Sequence, residues 1–176
     1  MRTLSPQDML NTLTSSVHQA RLLIVTGEKG AGKTSWCVGL RDVALRQNLA
    51  CDGLLSLAEM RDGVKAGIRL YAVATGESRP LAVARAVEDW QSPTPRWHFY
   101  EDALAWGNDY LGSIKPCDIV FVDELGPLEL THGRGWQNAF RLLTQGAYRL
   151  AVVTVRPSLV ETMRARYPHA QVVEVP

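Results

Sequence analysis

A chain of 176 residues with 46% hydrophobic and 21% charged side chains can close one well-packed domain with room for a small insertion. Its 19 basic and 18 acidic residues leave a formal charge of +1, so there is no broad basic field for neutralising a duplex, and nucleic-acid binding would have to rest on a local patch. Cys37, Cys51 and Cys117, odd in number and without a C-x-x-C pair, argue against a disulfide framework, a disulfide-linked partner and a zinc site; with no leader-like start and no apolar run of about 18 residues, the expectation is a soluble cytoplasmic protein with no membrane span.

The first element is a short helix with Ser5 as N-cap, Pro6 as its first residue, and Met9, Leu10 and Leu13 at helical spacing; residues 1–20 form a helical extension ahead of the domain. "RLLIVT" is a β-branched run ending at glycine, and "KTSWCVGLRDVALRQ" has the length and period of a helix, which gives strand, glycine loop, helix. Residues 51–83 lack a helical period. "DGLLSLAE", "VKAGIRLYAVA" and the turn-rich "TGESRP" predict an antiparallel hairpin inserted at the sheet edge, serving substrate or partner choice more than chemistry.

Pro80, Pro93 and Pro95 make "RPLAVARAVEDWQSPTPRW" an exposed connection. A helix in "HFYEDALAWGNDYLGSI" is followed by the strand "CDIVFVDELG", the helix "GWQNAFRLLTQG", the strand "RLAVVTV", the helix "SLVETMRARY" and the strand "AQVVEV". This alternation predicts an α/β domain over residues 1–176, its mostly parallel sheet flanked by helices.

"GEKGAGKTS", residues 27–35, satisfies G-x-x-x-x-G-K-[ST] in full at Gly27, Gly32, Lys33 and Thr34. Glu28 and Lys29 complete the loop, while Gly30, Ala31 and Gly32 are small enough for backbone N–H groups to converge on phosphate oxygens at a helix N-terminus. In that setting Lys33 reaches the β and γ phosphates, the Thr34 hydroxyl binds Mg²⁺, and Ser35 is a weaker candidate for an α-phosphate contact.

A phosphate loop needs an acidic site opposite it. "DIVFVDELG" supplies one, with Asp123 and Glu124 emerging after Val120, Phe121 and Val122, and Leu125 and Gly126 completing the segment. Asp123 is the candidate for the metal shell, and Glu124 the group that polarises a water for attack on the γ phosphorus. "DELG" also fits the D-x-x-G turn of GTP switches, but no N-K-x-D segment is present to read guanine, so base preference stays open.

Arg156, after "AVVTV", lies on the rim where nucleotide-facing loops of open α/β sheets gather, with Thr154 as a polar strand tip beside it. Arg134 is a weaker candidate for an arginine finger. His18, His98, His132 and His169 show no ligand spacing, and Trp90 and Trp97, in or beside the proline-rich connection, either pack over the core or stack a base.

"GEKGAGKT", the hairpin ending "YAVATGESRPLA" and "DIVFVDELGPLEL" together resemble the thermostable-ATPase-type nucleoside-triphosphatases, also called the cancer-related NTPase family, whose second motif reads D-E-I-G-x-M-E-L. The resemblance covers residues 22–155. It implies a RecA-like phosphate-loop fold and Mg²⁺-dependent hydrolysis of ATP, GTP and other nucleoside triphosphates, with residues 27–34 and 120–127 as the two nucleotide-binding segments and Glu124 in the place of the family's acidic residue after the magnesium-side aspartate. The chain departs from the family pattern in the residues ahead of its first strand and in a less aromatic hairpin. A kinase passing the γ phosphate to an acceptor, and a nucleotide-dependent adapter with little turnover, are the alternatives; no protein partner is named by any of these residues.

Overall fold

The computed structural model describes residues 5–14, 21–92 and 94–176, with the side chains of 12–14 outside the description. Leu13, His18 and Pro93 of the sequence reading therefore lie outside the described side chains, as does most of the extension over residues 1–20.

Helix α1, Pro6–Thr14, starts where the sequence places it. Ser5 Oγ accepts the Asp8 N–H at 3.2 Å while the Ser5 N–H and hydroxyl donate to the Asp8 carboxylate, a reciprocal cap that satisfies otherwise orphaned donors. The elements that follow are β1 (Arg21–Thr26), α2 (Lys33–Arg46), β2 (Cys51–Arg61), β3 (Val64–Ala72), β4 (Ser78–Ala84), β5 (Trp97–Phe99), α3 (Glu101–Ser113), β6 (Cys117–Val122), α4 (Pro127–Leu130), α5 (Gln137–Gln145), β7 (Tyr148–Thr154), a 3-10 turn (Pro157–Leu159), α6 (Val160–Arg166) and β8 (Gln171–Glu174).

They build one eight-stranded sheet in the order β5-β4-β3-β2-β6-β7-β1-β8. Strands β2, β6, β7, β1 and β8 run parallel, and β3, β4 and β5 add on antiparallel, so the expected α/β class with an antiparallel segment is the observed one.

Alternate residues of the central strands serve opposite faces, as the period of two requires. Leu23, Val25, Ile119, Phe121, Leu150 and Val152 pack with Met9, Leu10, Cys37, Leu40 and Ala44 of α1 and α2. Their neighbours Ile24, Val120, Val122, Ala151 and Val153 pack on the other face with Ala103, Leu111, Ala139, Phe140 and Met163 of α3, α5 and α6. A strand buried on both faces reads as a continuous apolar run, which is why "DIVFV" and "LAVV" were legible. Among the described residues no helix is long and apolar enough to cross a membrane.

Two expectations need correction. Strand β2 is not an edge insertion: residues 51–54 pair in parallel with β6, and only then does the strand continue as the first arm of the hairpin with β3. The stretch from Pro80 is also not all connection, because Pro80 sits inside β4, opposite Arg69 at a register shift. β5 pairs only with residues 82–84, so the donor that proline lacks is not demanded by a ladder. The exposed connection is residues 85–92 and 94–96, where Val87 and Trp90 face solvent.

Gly53 is the reason β2 can sit so close to β6. Its φ is +113°, and a Cβ there would stand 2.1 Å from the Phe121 carbonyl oxygen and 2.5 Å from the Phe121 nitrogen, both rigid backbone. Gly53→Ala is therefore expected to lower stability by about 3 kcal/mol or more, combining a backbone conformation alanine avoids with a clash that only strand separation relieves. Denaturant unfolding of the two proteins checks it; a loss under about 1 kcal/mol would mean that the strands shift at little cost.

Candidate active site

Because β1, β6 and β7 are parallel neighbours, with β7 between the other two, the loops after all three open at one sheet edge. This is the edge where open α/β sheets hold ligands. It brings together residues 27–34, the Asp123–Gly126 turn and Thr154 with Arg156.

In the loop after β1, Gly32 takes φ +89° as the N-cap of α2 and offers no side chain to cap the helix. The first-turn N–H groups of α2 are thus left to a ligand or solvent, and with the helix dipole they favour an anion. Glu28, Lys29 and Gly30 are exposed, Ala31 and Gly32 half-buried, and the Ala31 N–H closes the loop on the Glu28 carbonyl at 3.1 Å. Lys33 is buried, its ammonium donating to the Gly27 carbonyl at 2.7 Å and the Glu28 carbonyl at 3.0 Å. Thr34 and Ser35 follow on the first turn and line a cavity of about 320 Å³ with Val38, Ser56, Leu57, Ala58 and Lys65.

Asp123 is buried at the end of β6. Its Oδ1 accepts the Thr154 hydroxyl at 2.7 Å and its Oδ2 the Ser56 N–H at 3.0 Å; the Thr34 hydroxyl is near enough to favour its charged form, and the Ser56 hydroxyl donates to its carbonyl. Burial pushes the Asp123 pKa up, while the bonds from Thr154 and Ser56, and the nearby Thr34 hydroxyl, favour the carboxylate. A cation beside Thr34 and Asp123 would favour it further.

Glu124, half-buried, accepts the Arg156 Nε–H at 2.9 Å. Leu125 is buried, its N–H bonded to the Thr154 carbonyl, and this ties the acidic turn to the end of β7.

The sequence reading missed Ser56, Lys65 and Glu129 here. Glu129, in the unpredicted α4, is buried and accepts the Gly126 N–H at 3.0 Å and the Trp136 N–H at 3.3 Å, so it pins the backbone just after Glu124. Burial raises its pKa against those two bonds. Its one sequence signal is its place in "DELGPLEL". Ser56 and Lys65 carry no motif, and both lie in the segment expected to serve selection, not the acidic site.

The remaining candidates separate. Thr154 and Arg156 meet the acidic pair directly. Arg134 is exposed between α4 and α5, its carbonyl accepting from Gln137. Trp90 is exposed and does not pack over the core, whereas Trp97 is half-buried, rests against it and lies under the Lys65 ammonium. His98, His132 and His169 are exposed, and among the described residues no three His, Cys, Asp or Glu side chains group as a metal site.

A glycine loop between strand and helix, and an acidic strand end one strand away from it, define a mostly parallel α/β protein with its candidate site at one sheet edge. The family model described as NTPase matches residues 22–175, and the chain belongs to that family. It is 32% identical over 111 residues to the nucleoside-triphosphatase THEP1 of Caldivirga maquilingensis, covering 62% of this chain and 61% of that protein. It is 29% identical over 107 residues to the nucleoside-triphosphatase THEP1 of Archaeoglobus fulgidus, with coverages of 60% and 61%.

The match thus spans about three-fifths of the length of these relatives. Among solved structures, a human cancer-related nucleoside triphosphatase superposes with a TM-score of 0.66 at 19% identity, over 89% of each chain. THEP1 from the hyperthermophile Aquifex aeolicus does so with a TM-score of 0.52, also at 19% identity, over 88% of this chain and 89% of that one. At those identities the likeness is one of fold.

Proposed function

We propose that this protein hydrolyses nucleoside triphosphates, ATP and GTP among them, to the diphosphate and phosphate with Mg²⁺. The observation that carries the reading is the convergence at one sheet edge of the loop after β1, with Lys33 and Thr34, and the turn after β6, with the buried Asp123 and the half-buried Glu124. The relatives named as nucleoside-triphosphatases support it, and the three free cysteines fit a cytoplasmic setting.

Lys33 would turn its ammonium from the loop carbonyls toward the β and γ phosphates, while the backbone of residues 27–34 cradles the chain. The site suits Mg²⁺ by the chemistry of its donors: a hydroxyl oxygen and a carboxylate oxygen are hard ligands, and this ion takes few protein ligands because it keeps water and phosphate oxygens. Thr34 and Asp123 would hold it. When bound, the ion neutralises charge on the β and γ oxygens. Glu124 would orient a water toward the γ phosphorus and take its proton, with Arg156 holding the carboxylate in place. The positioned positive groups supply most of the stabilisation, as phosphoryl transfer requires.

The test is phosphate release from each nucleoside triphosphate with Mg²⁺, with and without small-molecule and polynucleotide acceptors. Release without an acceptor supports hydrolysis. Release only as transfer to an acceptor would make the protein a kinase, and binding without either would make it an adapter.

A further inference from the structure

Strand β2 does not stop at the sheet edge. It pairs with β6 as far as Leu54, opposite Val122, and residues 55–61 then carry the hairpin roughly 20 Å past the carboxyl ends of the parallel strands. This overhang is tied to the acidic site, because the Ser56 N–H is one of the donors to Asp123.

The returning strand β3 brings Lys65 into the wall of the cavity that Thr34, Ser35 and Ser56 also line. The Lys65 ammonium lies 5.2 Å from the centre of the Trp97 ring and feels the carboxylates of Glu124 and Asp123. Among the described residues it forms no ion pair, whereas Arg156 is engaged by Glu124 and Arg96 by Glu88. Solvent reaches Lys65, yet surrounding protein crowds it and lowers its pKa, and the charges of Lys29 and Arg156 act in the same direction. Lys29 in turn feels Arg96 and Arg156. The carboxylates of Glu124 and Asp123 outweigh these cations at Lys65, so its ammonium is drawn toward the acidic site, in the wall of the cavity that a phosphate anion at the loop would enter.

We propose that Lys65 is a cation supplied by the hairpin to the terminal phosphate: on triphosphate binding its ammonium leaves the Trp97 face and donates to a γ-phosphate oxygen. The inference rests on the hydrolytic reading above and adds to it the group that meets the charge spreading over the equatorial oxygens of the transferring phosphoryl. Lysine suits the role because its ammonium is a point charge on a flexible four-carbon stem, and a partly solvated cation–π contact is weaker than a charge-assisted bond to phosphate. The hairpin then acts in the chemistry as well as in selection.

The experiment compares the full chain with Lys65→Ala and Lys65→Arg, measuring kcat and KM for Mg²⁺·ATP and the affinities for ADP and for ADP with aluminium fluoride, a mimic of the transferring phosphoryl. The expected result for Lys65→Ala is a kcat lower by about 10² to 10³-fold, a similar loss of aluminium fluoride complex affinity, and ADP binding within about two-fold of the parent. Lys65→Arg should recover part of the rate. A parental kcat in Lys65→Ala overturns the inference, as does an equal loss of ADP and of the mimic, which would mark a structural role. If the parent itself releases no phosphate, the hydrolytic reading fails; Lys65 is then judged by binding, and an unchanged preference for ATP over ADP in Lys65→Ala overturns it.

Discussion

Lys33→Ala is expected to lose nucleoside-triphosphate affinity by about 10²-fold or more, with turnover falling at least as far, while the protein still unfolds cooperatively. Removing one partner from a desolvated charged pair costs about 2–5 kcal/mol, and the phosphates are the partner that Lys33 would meet. The fold is not untouched. Lys33 is buried and donates to the Gly27 and Glu28 carbonyls, so the variant leaves the inner of these without its donor, and a stability loss of about 1–2 kcal/mol is expected beside the functional one. Titration with a fluorescent ATP analogue and denaturant unfolding on the same preparation separate the two effects. Unchanged nucleotide binding would remove the loop after β1 from the site, whatever the stability result.

The loop was legible because its chemistry is done by backbone. Amide groups can approach phosphate oxygens only where side chains are small, and that demand writes itself into a fixed spacing of glycines before a lysine and a threonine. Asp123 was legible for a related reason: an apolar run of strand length ends abruptly in two carboxylates, and a strand buried on both faces can place charge only at its end. What pairs with these carboxylates was not legible. Arg156 meets Glu124, and Thr154 meets Asp123, because β6 and β7 are parallel neighbours in register, a relation that no local pattern states.

The hairpin was misplaced through the same long-range ignorance. Its alternation reveals an antiparallel pair but not that residues 51–54 first pair with β6, which depends on the close approach that Gly53 allows. Lys65 follows from that placement. In the sequence it is one charged residue after a turn, and only the overhang of β2 beyond Val122 makes it part of the phosphate-side cavity. Pro80 illustrates the converse: a residue that argues against a strand is tolerated where the register shifts and the next strand has ended.

Glu124→Gln separates hydrolysis from binding at one residue. The amide keeps the size of the side chain, and its oxygen can still accept the Arg156 Nε–H that holds Glu124 at 2.9 Å, so the turn after β6 should keep its shape. Burial of Leu125 and the bond that the Gly126 N–H donates to Glu129 are independent of the change. What is lost is the carboxylate that can take a proton from water. General-base help is typically about 10² to 10⁴-fold, so kcat should fall by that factor, which is about 3 to 5 kcal/mol of transition-state stabilisation. Affinity for Mg²⁺·ATP should stay within about a few-fold, since Lys33, Thr34 and Asp123 remain, and the loss should appear in kcat and kcat/KM alike. Single-turnover phosphate release beside equilibrium nucleotide binding measures both quantities. Hydrolysis at the parental rate would move water activation to another group at this edge, while loss of nucleotide binding would make the Glu124–Arg156 pair a strut of the site.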